Sequence, residues 1–387
     1  MHNFVFYNPT KILFGKNTIP AIGPETKVWG KKCLLLYGGG SIKKNGVYDQ
    51  VISSFKEAGL EIFEHSGVQS NPLLSHVKEG IEKVKAHKID VVVAVGGGSV
   101  LDSGKAICAG SVVNHDVWKF FTGKKSIKSA LPMTAVLTLA ASGSEMNSGM
   151  VVTNDETKEK FGFGNQRLYP KVSILDPETT YTVPPDYTAY GAVDAIAHVL
   201  EYYMTAEEQA APVQDRLMEG LIINAIGSCE RCLENPEDYN ARADLMWTAT
   251  LALNGLTGAG LGKVGFPMHM IEHSLSALYN IPHGAGLSIV IPGWLKWQAK
   301  REDKKIIQLG KRIFNLEQRD IIPTAEVTIK ILENWFSRVS SPIRLAECDI
   351  PPADIPAIAK NARRLAKIWR LDSYSQESIE EVLFLCR

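Results

Sequence analysis

Residues 90–95 (DVVVAV) are apolar on both of the faces that a strand would present, and three glycines, Gly96, Gly97 and Gly98, follow at once. A strand apolar on both faces has to be covered on both, the condition of a central strand in a parallel sheet packed between helices. Glycine lets backbone N–H groups approach an anion closely, and a helix opening at this point adds unpaired N–H groups and the positive end of its dipole. The run through Ser99 to Asp102 is therefore expected to be a strand, a pyrophosphate-binding turn and a helix.

To about residue 185, short apolar runs alternate with amphipathic stretches, as in α/β proteins. Strands are expected over residues 32–37, 60–64 and 90–95, helices over 48–58 and 74–86, and an antiparallel hairpin attached to the sheet over 150–163. After Val183-Pro184-Pro185 the strand signals fade, and apolar residues recur at helical spacing through Leu385. The expected architecture is an α/β dinucleotide-binding domain over residues 1–185, Rossmann-like with a parallel sheet plus a hairpin. An all-α domain follows over 186–387. A length of 387 residues, 45% apolar and 22% charged, agrees with two globular domains.

Lysine and arginine (42) balance aspartate and glutamate (42), leaving no surplus to bind nucleic acid or an anionic membrane. No run approaches the ~20 apolar residues that span a bilayer, and the start does not read as a signal peptide, so a cytoplasmic protein is expected. Six cysteines without regular spacing fit a reducing compartment. Cys229 and Cys232, the one close pair, read as two partly buried thiols on a helix.

A second turn, Gly38-Gly39-Gly40-Ser41, follows the strand at 32–37, where dinucleotide folds place an acid on the adenosine ribose. Glycine in that place leaves room for a 2'-phosphate, which Ser41, Lys43 and Lys44 could contact. NADP(H) is thus slightly preferred over NAD(H). Neither turn carries the GxGxxG spacing.

In the helical half, Asp194 and His198 are four apart and share one helix face, as do His269 and His273, and His283 follows before a glycine. A carboxylate and imidazoles from three short stretches suit iron(II), zinc, cobalt or nickel. Spacing alone does not say which histidine stands outside the shell. Glu201, three residues after His198, points to the same face but reads equally as a surface carboxylate and is left out.

Phe14-Gly15, residues 37–46 (YGGGSIKKNG), Asn71-Pro72, residues 96–102 (GGGSVLD), Gly143-Ser144-Glu145, Tyr169-Pro170, Asp176-Pro177, the Asp194/His198 helix and residues 269–286 occur in one order. With them the chain resembles the iron-containing (group III) alcohol dehydrogenases, and more closely their branch of butanol dehydrogenases and NAD(P)H-dependent aldehyde reductases. The resemblance implies a dehydroquinate synthase-like fold, a homodimer, and hydride transfer between NAD(P)H and a small aliphatic aldehyde of the butanal/butanol type. It implies metal ligands at Asp194, His198, His269 and His283, for Fe2+ first and Zn2+ second, and it makes His273 the histidine beside metal and nicotinamide. Cofactor contacts are implied at Gly38, Gly39, Ser41, Gly96, Gly97, Gly98, Ser99, Asp102, Thr138, Ser144, Asn147, Lys160 and Thr182. Residues 138–142 (TLAAS) and 263–267 (KVGFP) depart from the family's usual TTAGT and its glycine- and tryptophan-richer stretch. The rival readings are a zinc glycerol dehydrogenase, a dehydroquinate-synthase-like cyclase and, more remotely, a metallohydrolase or a non-catalytic nucleotide-binding protein.

Overall fold

In the computed structural model, which describes residues 1–387, the chain to Val183 supplies β1 (Lys11–Phe14), α1 (Ile22–Lys27), β2 (Lys32–Tyr37), α2 (Ser41–Lys44), α3 (Val47–Ala58), β3 (Glu61–His65), α4 (Leu74–His87), β4 (Val91–Gly96), α5 (Gly98–Gly110), α6 (Trp118–Phe121), β5 (Met133–Leu137), β6 (Gly149–Asn154), β7 (Glu159–Gly164) and β8 (Val172–Leu175). From Pro185 onward it is helical: α7 (Pro185–Thr205), α8 (Pro212–Glu234), α9 (Tyr239–Ala252), α10 (Pro267–Tyr279), α11 (His283–Ala299), α12 (Lys304–Ile313), α13 (Ala325–Arg338), α14 (Ile355–Ile368) and α15 (Gln376–Phe384).

Six strands form one parallel sheet in the order β1-β8-β5-β4-β2-β3. As its double-sided pattern requires, β4 is central and every one of its residues is buried. On one face Leu35, Val93 and Val95 pack with Val51 and Phe55 of α3, each such burial contributing roughly 1.5–3 kcal/mol. On the other, Gly104 of α5 comes so close that an added Cβ would lie 2.8 Å from Met133 Sδ. The strand order turns back between β2 and β4, whose ends run level with Tyr37 opposite Val95. Such a switch point opens a crevice at the carboxyl ends of the strands, and both glycine turns stand there.

The expected hairpin exists, but β6 and β7 make a sheet of their own instead of joining the parallel one. The Val151 N–H donates to Asp102 on α5, and one isolated bridge pairs Thr153 with Leu73. These contacts hold the hairpin over a helix, away from the edge strands β1 and β3.

Two compact units result, one of Tyr7–Val183 with Asn235–Asn254, the other of Met1–Phe6, Pro184–Glu234 and Gly255–Arg387. The expected single boundary between residues 185 and 186 differs from this grouping at the N-terminus and at α9. The reason α9 joins the α/β unit is chemical: Thr250 donates to the buried Glu145 carboxylate, and Trp247 stacks edge-on to Phe14 at 5.8 Å. Cys229 and Cys232 lie on α8 as expected, buried and not joined in a disulfide. No helix is long and apolar enough to cross a membrane.

Candidate metal centre and glycine turns

Along α7, Asp194, His198 and Glu201 fall on one side because four and seven residues are close to one and two helical turns. α10 adds His269, Glu272 and His273, and α11 opens with His283 directly after Pro282. Two glycines let α11 start there. A Cβ on Gly284 would lie 2.2 Å from the Tyr190 carbonyl oxygen, and one on Gly286 would lie 2.6 Å from Glu272 Oε1.

These elements aim four atoms at one point. Asp194 Oδ1 is 3.5 Å from His198 Nδ1, 3.7 Å from His269 Nε2 and 3.7 Å from His283 Nε2. Asp194 Oδ1, His198 Nδ1 and His269 Nε2 are buried and have no hydrogen-bond partner, an arrangement that costs about 1–3 kcal/mol per group unless something satisfies them. A divalent cation satisfies all of them, and a carboxylate with imidazoles is the donor set that such an ion takes. The residues therefore fit a metal.

Behind the donors stand two carboxylates that sequence reasoning set aside or missed. Glu201 Oε1 lies 3.0 Å from His269 Nδ1, and the carboxylate of Glu272 makes a short hydrogen bond with His283 Nδ1. Both glutamates are fully buried. Each fixes which ring nitrogen faces Asp194. Burial presses the His198 imidazole down to about 3, which keeps it neutral as a ligand must be. Burial works to raise the Asp194 carboxyl, but the facing imidazoles hold it below the ordinary range.

His273 lies apart from the trio. Its ring is 5.6 Å from that of His283 and 5.4 Å from that of Trp369, and its donor atom groups with Glu272 and His283. The structure thus brings Asp194, His198 and His269 together, with His283 facing Asp194, and sets His273 beside them.

In the α/β unit, residues 139–142 close over the turn after β4. An added Cβ on Gly97 would meet Leu139 Cβ at 3.2 Å, and one on Gly98 would meet Ser142 Oγ at 2.2 Å. The Thr138 N–H donates to the Gly96 carbonyl (3.1 Å), and the Ser99 hydroxyl donates to the Ser70 carbonyl. Asp102 accepts from the Ser144 hydroxyl (2.6 Å) and the Val151 N–H (3.0 Å). Lys105, which carried no signal in the sequence, is completely buried among these residues. It donates to Ser144 Oγ (2.8 Å), Asn147 Oδ1 (3.0 Å) and the Gly149 carbonyl (2.7 Å). Burial pushes its ammonium down to about 8. The turn after β2 is open, with nothing near Gly39 or Gly40. Gly40 has φ +105°, which favours glycine. Lys160 donates to Asn71 Oδ1 (2.9 Å), and Thr182 Oγ1 accepts from Asn45 (3.3 Å).

A switch-point sheet with two glycine turns in one unit and a buried Asp–His cluster in the other define a class of two-unit nucleotide- and metal-binding proteins. Residues 9–177 match the family model for iron-containing alcohol dehydrogenase, and residues 188–386 match the C-terminal model of the Fe-containing alcohol dehydrogenase family. The chain belongs to the iron-containing alcohol dehydrogenase family. It is 41% identical over 386 residues to the probable NADH-dependent butanol dehydrogenase 1 of Bacillus subtilis, covering 99% of each chain. With the NADPH-dependent aldehyde reductase YqhD of Escherichia coli it shares 38% over 365 residues, 93% of this chain and 92% of the relative. The crystal structure of the NADH-dependent butanol dehydrogenase A of Thermotoga maritima superposes with a TM-score of 0.95 at 45% identity, over 100% of this chain and 99% of that one.

Proposed function

We propose that this protein is a metal-dependent alcohol dehydrogenase and aldehyde reductase that interconverts a small aliphatic aldehyde and its primary alcohol with a nicotinamide dinucleotide. The observation that carries the reading is the set of buried, unpartnered donors Asp194 Oδ1, His198 Nδ1 and His269 Nε2, facing one point with His283 Nε2. The family supports iron as the ion. The same donors take zinc.

When bound, a metal would supply polarisation of a carbonyl oxygen and a dihydronicotinamide would supply hydride. Asp194, His198, His269 and His283 hold the ion, and Glu201 and Glu272 keep the rings of His269 and His283 in register. His273, beside His283, holds a proton on its ring for the oxygen that becomes the alcohol, a task that suits an imidazole near neutral pH. The turns at Gly38, Gly39 and Ser41 and at Gly96, Gly97, Gly98 and Ser99 bind the dinucleotide, with Thr138, Lys160 and Thr182 among its further contacts. Asp102, Ser144 and Asn147, tied to Lys105, orient its nicotinamide end. The glycine after β2 leaves space for NADP(H) as well as NAD(H).

A homodimer belongs to this reading, supported by the exposed apolar residues Phe4, Val5, Phe6 and Tyr7 and by β1 as an edge strand. So does a cytoplasmic location, supported by six cysteines of which none is in a disulfide.

The test is absorbance at 340 nm with butanal and NADH or NADPH, on metal-stripped protein and after anaerobic addition of Fe(II) or Zn(II). Metal-restored oxidation of one dinucleotide per alcohol formed supports the reading and separates it from a cyclase, which returns its NAD unchanged. No oxidation across several aldehydes with both dinucleotides refutes it.

A further inference from the structure

The expectation that Lys43 would serve a cofactor 2'-phosphate meets an obstacle in β3. Glu64, opposite Leu35 in the register of β2 and β3, sends its carboxylate to the residues around the first glycine turn. Tyr37, the last residue of β2, donates its hydroxyl to Glu64 Oε2 at 2.6 Å, and Tyr48 of α3 donates to Oε1 at 2.6 Å. Those two hydrogen bonds hold the carboxyl below its ordinary range, so it is an anion at neutral pH. Lys43 Nζ lies 3.9 Å from Oε2 and over both phenol rings, 4.5 Å from the centroid of Tyr48 and 5.1 Å from that of Tyr37. Lys83 donates to the Glu64 backbone carbonyl at 2.8 Å.

Lys43 is thus compensated where it stands, two residues beyond Ser41. A 2'-phosphate at this turn gains little from a lysine whose charge is already matched, and it faces the carboxylate behind that lysine. We infer that Glu64, held by Tyr37 and Tyr48, is a specificity-determining residue that makes the glycine-turn site prefer NADH to NADPH. This reverses the preference read from the sequence, where the acid after β2 was missing. The acid is present, but it comes from β3 and no local spacing reveals it.

The inference rests on the dehydrogenase reading, and the experiment separates the two. Dissociation constants for NADH and NADPH are measured by tryptophan-fluorescence quenching on wild-type protein, Glu64→Gln, Tyr48→Phe and Glu64→Gln/Lys43→Met, with thermal melts to confirm folding. The wild type is expected to bind NADH more tightly. In Glu64→Gln the ratio of the NADPH constant to the NADH constant falls about fivefold to tenfold, the size of one charge at about 4 Å when both groups are half exposed and screened by water. Tyr48→Phe moves it the same way by less, and adding Lys43→Met cancels the gain. An unchanged ratio in Glu64→Gln, or a wild type that prefers NADPH, overturns the inference while leaving the dehydrogenase reading intact. A wild type that binds neither dinucleotide overturns both.

Discussion

Glu201 grips His269 twice: its Oε1 accepts the backbone N–H of His269 at 2.8 Å and lies 3.0 Å from the ring Nδ1, across 68 residues of chain. The double contact sets both the helix position and the tautomer that turns Nε2 toward Asp194. Glu201→Gln is expected to weaken metal binding about 10- to 100-fold, measured by competition with a calibrated chelator. Unchanged metal affinity in a folded variant would reduce Glu201 to a packing role.

His273 is predicted to act on protons without holding metal. His273→Ala should lower kcat about 100-fold or more, while metal content by mass spectrometry stays at the wild-type level. Metal lost from the purified variant would place His273 in the coordination shell.

Gly98 is glycine because Ser142 leaves no room for a Cβ. Gly98→Ala should therefore lower the melting temperature and weaken dinucleotide binding together. Gly98→Ala/Ser142→Gly should recover most of both. If the double variant stays as damaged as the single one, crowding by Ser142 is not what requires glycine.

Lys105 gives a pH signature. Its proton leaves the folded protein at about 8, because of burial, against an ordinary 10.5 in the unfolded chain. Between those values the unfolded chain binds more protons, so this group makes stability rise with pH, and the gain is lost again as pH falls from 10.5 to about 8. Urea unfolding of the wild type relative to Lys105→Met should show a difference that grows by roughly 3 kcal/mol from about pH 8 to about pH 10.5. A flat difference would mean that Lys105 stays charged throughout.

The parts of the fold that local pattern controls were legible. β2, β4, α3 and α4 follow from their periodicity, and the helical second half follows from the loss of strand signals after Pro185. The i, i+4 spacing of Asp194 and His198 put both on one face of α7 before any coordinates. What stayed hidden depends on contacts far apart in sequence. Glu201 looked like any helix carboxylate until His269 stood against it, and Glu272 was passed over between two histidines. Lys105 sits in α5, most of whose residues are buried, whereas lysine ordinarily reaches solvent. Its ammonium is met by Ser144, Asn147 and the Gly149 carbonyl, about forty residues further along the chain. The hairpin was visible as two strands, but its place over α5 depends on Asp102 accepting the Val151 N–H.

α9 carries a consequence for synthesis of the chain. Thr250, which answers the buried Glu145 carboxylate, leaves the ribosome about a hundred residues after it, and all of α7 and α8 is made in between. The sheet can assemble early, but it waits for a segment made after α7 and α8 before the buried Glu145 carboxylate receives the Thr250 hydrogen bond, a late, non-local step of the kind that slows folding. A shortened gene ending at Val183 would encode every strand of the sheet and still yield an unfinished protein.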